Sequence, residues 1–137
     1  MRDVVRSRSV PQIIVGNADY ERLTDLANAS RHRLPEVAEE LLTEMDRARV
    51  VDDSAVPADV VRMGSTVTFK SDDGQIRTMT LVYPAEESLD RHRISVMTPI
   101  GAALIGLAVG QSISWPARDG KHHRLTVTKV STPAEPT

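Results

Sequence analysis

The chain contains no cysteine. That excludes disulfides, thiolate metal sites and cysteine nucleophiles. Aromatics are scarce as well: Tyr20, Phe69, Tyr83 and Trp115 are the only ones in 137 residues. The core must therefore be mostly aliphatic. The longest apolar run, Pro99–Gly110, is too short to span a bilayer. The polar start Met1–Val10 carries Arg2, Arg6 and Arg8 and does not resemble a secretory signal. A soluble cytoplasmic protein without membrane contact is expected. A large excess of one charge is missing too. The formal net charge is −2, which argues against sequence-independent DNA or RNA binding as the main activity. The charge is uneven: residues 17–49 hold eight acids and five bases, residues 53–137 nine of each.

Further absences narrow the chemistry. No G-x-x-x-x-G-K-[ST] run exists, so a nucleotide-binding P-loop is unsupported. Ser95, Ser112 and Ser114 lie outside any G-x-S-x-G elbow, which leaves a serine hydrolase without a nucleophile. His122 and His123 are adjacent on a strand pattern and point to opposite faces, so they cannot readily share an ion. His32 and His92 each sit between two arginines. Neither a metal site nor a cofactor is expected.

What is present reads as two units. Pro11–Gly16 is a short extended lead-in ending in a glycine turn. Asn17 suits a helix N-cap, and Tyr20, Leu23, Leu26, Ala27 and Ser30 follow helical spacing, which predicts a helix over 18–30. Arg31–Leu34 makes a turn. Pro35 can open a second helix, with Glu36 near its positive end. Leu34, Val37 or Ala38, Leu41, Met45 and Ala48 mark its apolar stripe, whereas Glu36, Glu40 and Glu44 share another face, read as solvated. Two such helices form an antiparallel hairpin over 11–52, too small to be stable alone. The segment 1–10 is expected to be a flexible arm and 132–137 a flexible tail.

After the polar connection Asp52–Ala58 the period changes to two. Ser65–Ser71 and Gln75–Tyr83 read as strands across the turn signal Asp72-Asp73-Gly74. Ala85–His92 is a loop or short helix, and Arg93–Met97 a third strand. An apolar helix over 99–108 follows, capped by Thr98 with Pro99 in its first turn. Ser112–Trp115 and His123–Val130 form a last hairpin across Pro116–Gly120. The fold class is α+β: a helical hairpin, then an antiparallel sheet over 53–131 with one helix buried against it.

Three pieces together carry a family resemblance: Asp59-Val60-Val61-Arg62-Met63-Gly64-Ser65, Thr80-Leu81-Val82-Tyr83-Pro84-Ala85, and Ile94–Ile113 with its Thr-Pro helix start. They resemble the bacterial Gre-type transcript-cleavage factors (the GreA/GreB elongation factors), and more closely the regulator of nucleoside diphosphate kinase (Rnk) branch. The resemblance covers roughly residues 11–131. It implies an FKBP-like C-terminal domain that docks on the rim of the RNA polymerase secondary channel, and an N-terminal coiled coil that enters the channel. Carried over, the polymerase-binding loop is Met97, Thr98 and Pro99, supported by Ile100 and Gly101. Cleavage factors usually have a small polar or acidic residue where Met97 stands. DNA would be contacted at most indirectly, through the polymerase, and the chain would act as a monomer.

The hairpin tip departs from the family. Cleavage requires a carboxylate pair there to hold Mg²⁺. Here the tip is Ser30, Arg31, His32 and Arg33, which is cationic, and a 13-residue helix is only about 20 Å long at ~1.5 Å per residue. The resemblance thus implies a polymerase-binding regulator that is not an enzyme and competes with cleavage factors. Any effect on nucleoside diphosphate kinase would be indirect. The FKBP-like expectation also raises a second reading, a peptidyl-prolyl isomerase. That would need a concave pocket, usually aromatic-lined, with only Phe69, Tyr83 and Trp115 to build it. A helical-hairpin oligomerisation module is a third.

Overall fold

A computed structural model describes residues 11–116 and 122–131, apart from the side chains of Pro116 and His122. The expected arm 1–10, the tail 132–137 and most of the turn over 116–120 lie outside the described residues.

The chain opens with β1 (Ile14–Gly16), α1 (Asn17–Ala29), α2 (Pro35–Arg47) and β2 (Arg49–Val51). The two helices are antiparallel neighbours, as their facing stripes predict. Leu23 and Ala27 of α1 and Ala38, Leu41 and Met45 of α2 are buried. Leu34, placed on the stripe by spacing, is instead 39% exposed, because it precedes the helix and lies in the tip turn. The two-helix excursion returns the chain to the starting end of β1, with Arg49 beside Ile14, so β2 runs parallel to β1 and Val15 lies beside Val50. Pro11–Gly16, expected as an extended lead-in, thus supplies one strand of a two-stranded parallel pair.

The start of α1 also differs from expectation. Asn17 is already helical, and Gly16 occupies the cap position without a side-chain bond. The cap comes from far along the chain: Asp53 Oδ1 accepts the Ala18 N–H at 3.0 Å. Asn17 itself donates to Asp52 Oδ1 at 3.2 Å.

The second half forms a five-stranded sheet in the order β5-β4-β3-β7-β6. Its strands are β3 (Thr66–Ser71), β4 (Ile76–Val82), β5 (Arg93–Ser95), β6 (Ser112–Pro116) and β7 (His122–Ser131). The expected antiparallel sheet is mixed, because β5 pairs parallel to β4. Pro84 ends β4, and two 3-10 turns, Pro84–Glu86 and Leu89–Arg91, carry the chain back to the starting side. His92 makes the last reversal at φ 59.

The apolar helix, α3, spans Pro99–Leu104 rather than 99–108. Gly106 takes φ +82, and a Cβ there would sit 2.8 Å from the Ile13 Cβ. Residues 105–107 leave the helix for other partners. Gly106 N–H donates to Val61 O at 3.0 Å, Val61 N–H to Leu107 O at 2.8 Å, and Ile14 N–H to Gly106 O at 3.2 Å. The last of these bonds stitches β1 to the second half. Burial follows the same plan: Ile13, Leu23, Leu41 and Met45 join Val67, Phe69, Leu81, Leu104, Leu125 and Val127 in one apolar cluster. The hairpin leans on the sheet half, with α2 packed on α3 and α3 on β6.

Candidate functional site

The segment Ser95–Gly101 is a tight turn built on reciprocal hydrogen bonds. Ser95 Oγ accepts the Met97 N–H at 2.9 Å. The Thr98 hydroxyl donates to Ser95 O at 2.7 Å and accepts the Gly101 N–H at 3.0 Å. Thr98 is therefore the helix cap that its sequence position predicts. Pro99 fills the first helical position, where no N–H is needed. Gly101 is required by close approach: a Cβ there would lie 2.1 Å from Ser95 O. Thr98, Pro99 and Ile100 are half-buried and reach the surface, whereas Met97 is only 5% exposed and Gly101 is buried. The Met97 side chain is thus a packing group and not an accessible contact. Ser95, which no motif singled out, organises the turn.

The hairpin tip lies at the far end of α1 and α2. Arg31, His32 and Arg33 are exposed. Ser30 is 2% exposed, because it closes α1 and its carbonyl accepts the Leu34 N–H at 2.8 Å. Arg31 Nε donates to Asn28 Oδ1 at 3.2 Å. The nearest carboxylate in sequence is Glu36, in the first turn of α2. Along that helix the acids diverge from a uniformly solvated stripe. Glu36 is exposed, while Glu40 and Glu44 are half-buried. Glu44 pairs with Arg47 at 2.7 Å. Glu40 and Glu44 line a cleft of about 180 Å³ against Pro99, Ile113 and Trp115.

At the root of the hairpin, Asp19 Oδ2 accepts the Met63 N–H at 3.2 Å. Burial pushes its carboxyl above the ordinary range, opposed by that amide and by Arg62. Arg22 lies over the Tyr83 ring at 5.1 Å. Burial, with the Asp19 charge, raises the Tyr83 phenol. Phe69 is fully buried. His123 faces Asp72 at 3.4 Å. Among the described residues no three His, Asp or Glu side chains come together to hold a metal ion, and no helix is long and apolar enough to cross a membrane.

Comparison with known proteins decides the lineage of this architecture. The family described as transcription elongation factor GreA/GreB, C-terminal, matches residues 56–132, more than half of the chain. The chain belongs to the GreA/GreB family. Residues 11–51 match the Rnk N-terminus, which places the chain on the Rnk branch of GreA/GreB. The regulator of nucleoside diphosphate kinase of Escherichia coli strain K12 is 40% identical over 123 residues, covering 89% of this chain and 90% of the relative. A GreA of Rhodospirillum rubrum is 35% identical over 82% of this chain and 71% of its own. A solved GreA/GreB factor from Nitrosomonas europaea superposes with a TM-score of 0.70 at 36% identity, covering 88% of this chain and 98% of that one. The GreA/GreB match spans the Thr98-Pro99 turn, and the Rnk match spans the tip.

Proposed function

We propose that this chain is an RNA polymerase-binding transcription regulator that docks at the secondary channel rim, does not support transcript cleavage, and competes with cleavage factors for the rim. Membership of the GreA/GreB family supports an elongation-factor-like role at the polymerase. The observation that carries the rest is the tip. Arg31, His32 and Arg33 are exposed there without a carboxylate between them. A divalent ion needs oxygen ligands, and a cationic tip repels it. Each helix has 13 residues, about 20 Å of reach at ~1.5 Å per residue.

In this reading the FKBP-like C-terminal half grips the rim. Thr98, Pro99 and Ile100 present the contact, backed by Met97 and Gly101, whose burial holds the turn in shape. The protein acts as a monomer in the cytoplasm. The test is capture of purified core polymerase by the full chain, with excess cleavage factor added in a second arm. Competition is expected, and Thr98→Arg should weaken capture while Arg31→Ala leaves it unchanged. Capture that resists both the competitor and Thr98→Arg rejects the docking mode. Strong RNA shortening in backtracked complexes on adding this chain alone rejects the non-cleaving role.

A further inference from the structure

We propose that the outward face of the five-stranded sheet is a contact surface for the phosphate backbone of duplex DNA, centred on a cleft between Lys70 and Arg124. This reading stands independently of polymerase docking. No Asp or Glu occurs in any of the five strands, which carry Lys70, Arg77, Arg93, Arg124 and Lys129. The chain's net charge of −2 conceals this, because the acids among the described residues sit on helices, turns and loops.

Register gathers part of that charge on one side. Thr66, Thr68 and Lys70 lie beside Thr80, Thr78 and Ile76 of β4. On the other flank they lie beside Ser131, Lys129 and Thr126 of β7. Ser112 and Ser114 of β6 continue the row opposite Thr126 and Arg124. The intervening Val67, Phe69, Leu125, Val127 and Ile113 point into the core. Lys70, Arg124 and Lys129 are exposed, and among the described residues none is within ion-pair distance of a carboxylate. Three unpaired like charges on one face repel each other until an anion arrives.

A cleft of about 440 Å³ opens where β3 and β7 end, lined by Lys70, Ser71, Asp72, Gly74, Arg124 and Thr126. Lys70 is paired with Thr126, so Arg124 is its diagonal neighbour, roughly 7–8 Å away and within reach of long side chains. The one acid on the rim, Asp72, is already engaged: Oδ2 accepts the Arg124 N–H at 3.0 Å and Oδ1 faces His123. Hydroxyls add donors. Thr66 pairs with Thr80 and Thr68 with Thr78, both at 2.9 Å, and Ser112 pairs with Thr126 at 2.6 Å. One hydrogen lies within each pair, so the second O–H remains free for an external acceptor. Lys, Arg, Ser and Thr are the side chains that contact phosphate oxygens. Among the described side chains the outward strand positions hold no Phe, Tyr or Trp ring, the stacking platform that single strands use. A backbone-only surface suits a duplex and reads no sequence.

The test is fluorescence anisotropy of the full chain with a labelled DNA duplex, a single strand of equal length, and anionic phospholipid vesicles as a third arm. Duplex binding is expected, with log affinity falling against log salt at a slope near −3 for about three neutralised phosphates, measured between roughly 50 and 200 mM salt. Lys70→Ala with Arg124→Ala and Lys129→Ala should lower affinity about tenfold or more and flatten that slope, with an unchanged melting temperature. Arg replacements at Lys70 and Lys129 should retain binding, as should Arg31→Ala with Arg33→Ala at the distant tip. No duplex binding at low salt, binding undiminished in the triple variant, tighter binding to the single strand, or binding to vesicles alone overturns the proposal.

Discussion

At the scale of single residues, the Ser95–Gly101 turn depends on two side-chain identities. Thr98 both donates to Ser95 O and accepts the Gly101 N–H. Thr98→Val removes both bonds at nearly constant volume and should cost about 1–2 kcal/mol, read as a lower urea midpoint, while Thr98→Ser should recover most of it. Gly101→Ala drives a Cβ into a backbone carbonyl, 2.1 Å from Ser95 O. Neither backbone can yield cheaply, so a loss of about 2–3 kcal/mol is expected in the same assay. Thr98 and Pro99 were legible in the sequence because a cap and a first-turn proline are local chemistry. Gly101 was named there only as support, since its need arises from Ser95 folding back over it. The burial of Met97 was not legible at all: nothing in Val96-Met97-Thr98 says which side of the turn meets the core.

At the scale of elements, the root of the hairpin is where acid–base behaviour enters. Asp19 accepts the Met63 N–H, yet burial raises its pKa above the ordinary carboxylate range, with Asp53 adding to the rise. The folded chain thus binds this proton more tightly than the unfolded chain. Between the ordinary Asp range and the raised folded value, stability should fall as pH rises, and recover on acidification. Asp19→Asn keeps an acceptor for Met63 and should flatten this part of the stability–pH curve. Asp19→Ala leaves the amide without its partner and should cost about 1–2 kcal/mol at neutral pH. Denaturant titrations across pH 3–7 on the three proteins check both; an unaltered curve for Asp19→Asn would contradict the account.

Helix extents at this scale followed from periodicity for α1 and α2, where the apolar stripe and the turn signals agree. α3 was expected to be longer because its sequence is apolar throughout Ile100–Leu107, and periodicity cannot place an end in such a run. Its end is set by Val61 and Ile14, which draw Gly106 and Leu107 into backbone bonds. The β1–β2 pair and the parallel β5 escaped for a related reason: strands of three residues carry too little pattern to announce a partner.

At the scale of the molecule, the hairpin and the sheet share one apolar cluster. Unfolding should therefore be a single transition, with far-UV circular dichroism and Trp115 fluorescence giving the same midpoint. Trp115 lines the cleft between α2 and β6, so it reports on the contact between the halves. Two separated transitions would show that the halves are independent. Phe69→Ala, at a fully buried site, should lower stability by about 3–5 kcal/mol and shift both signals together.

By itself the sequence determined the class of the fold, the capped Thr-Pro turn, the cationic tip and the family, because each rests on neighbours within a few positions or on a recognisable run of residues. Tertiary structure alone decided which faces those residues share. It brought Asp53 to the start of α1, laid Gly106 against Ile13, and turned Met97 inward. It also aligned Lys70, Arg124 and Lys129 on one side of a sheet free of carboxylates. Charge along a chain is a sum, but a binding surface depends on where each charge points, and strand register sets that only once the strands have paired.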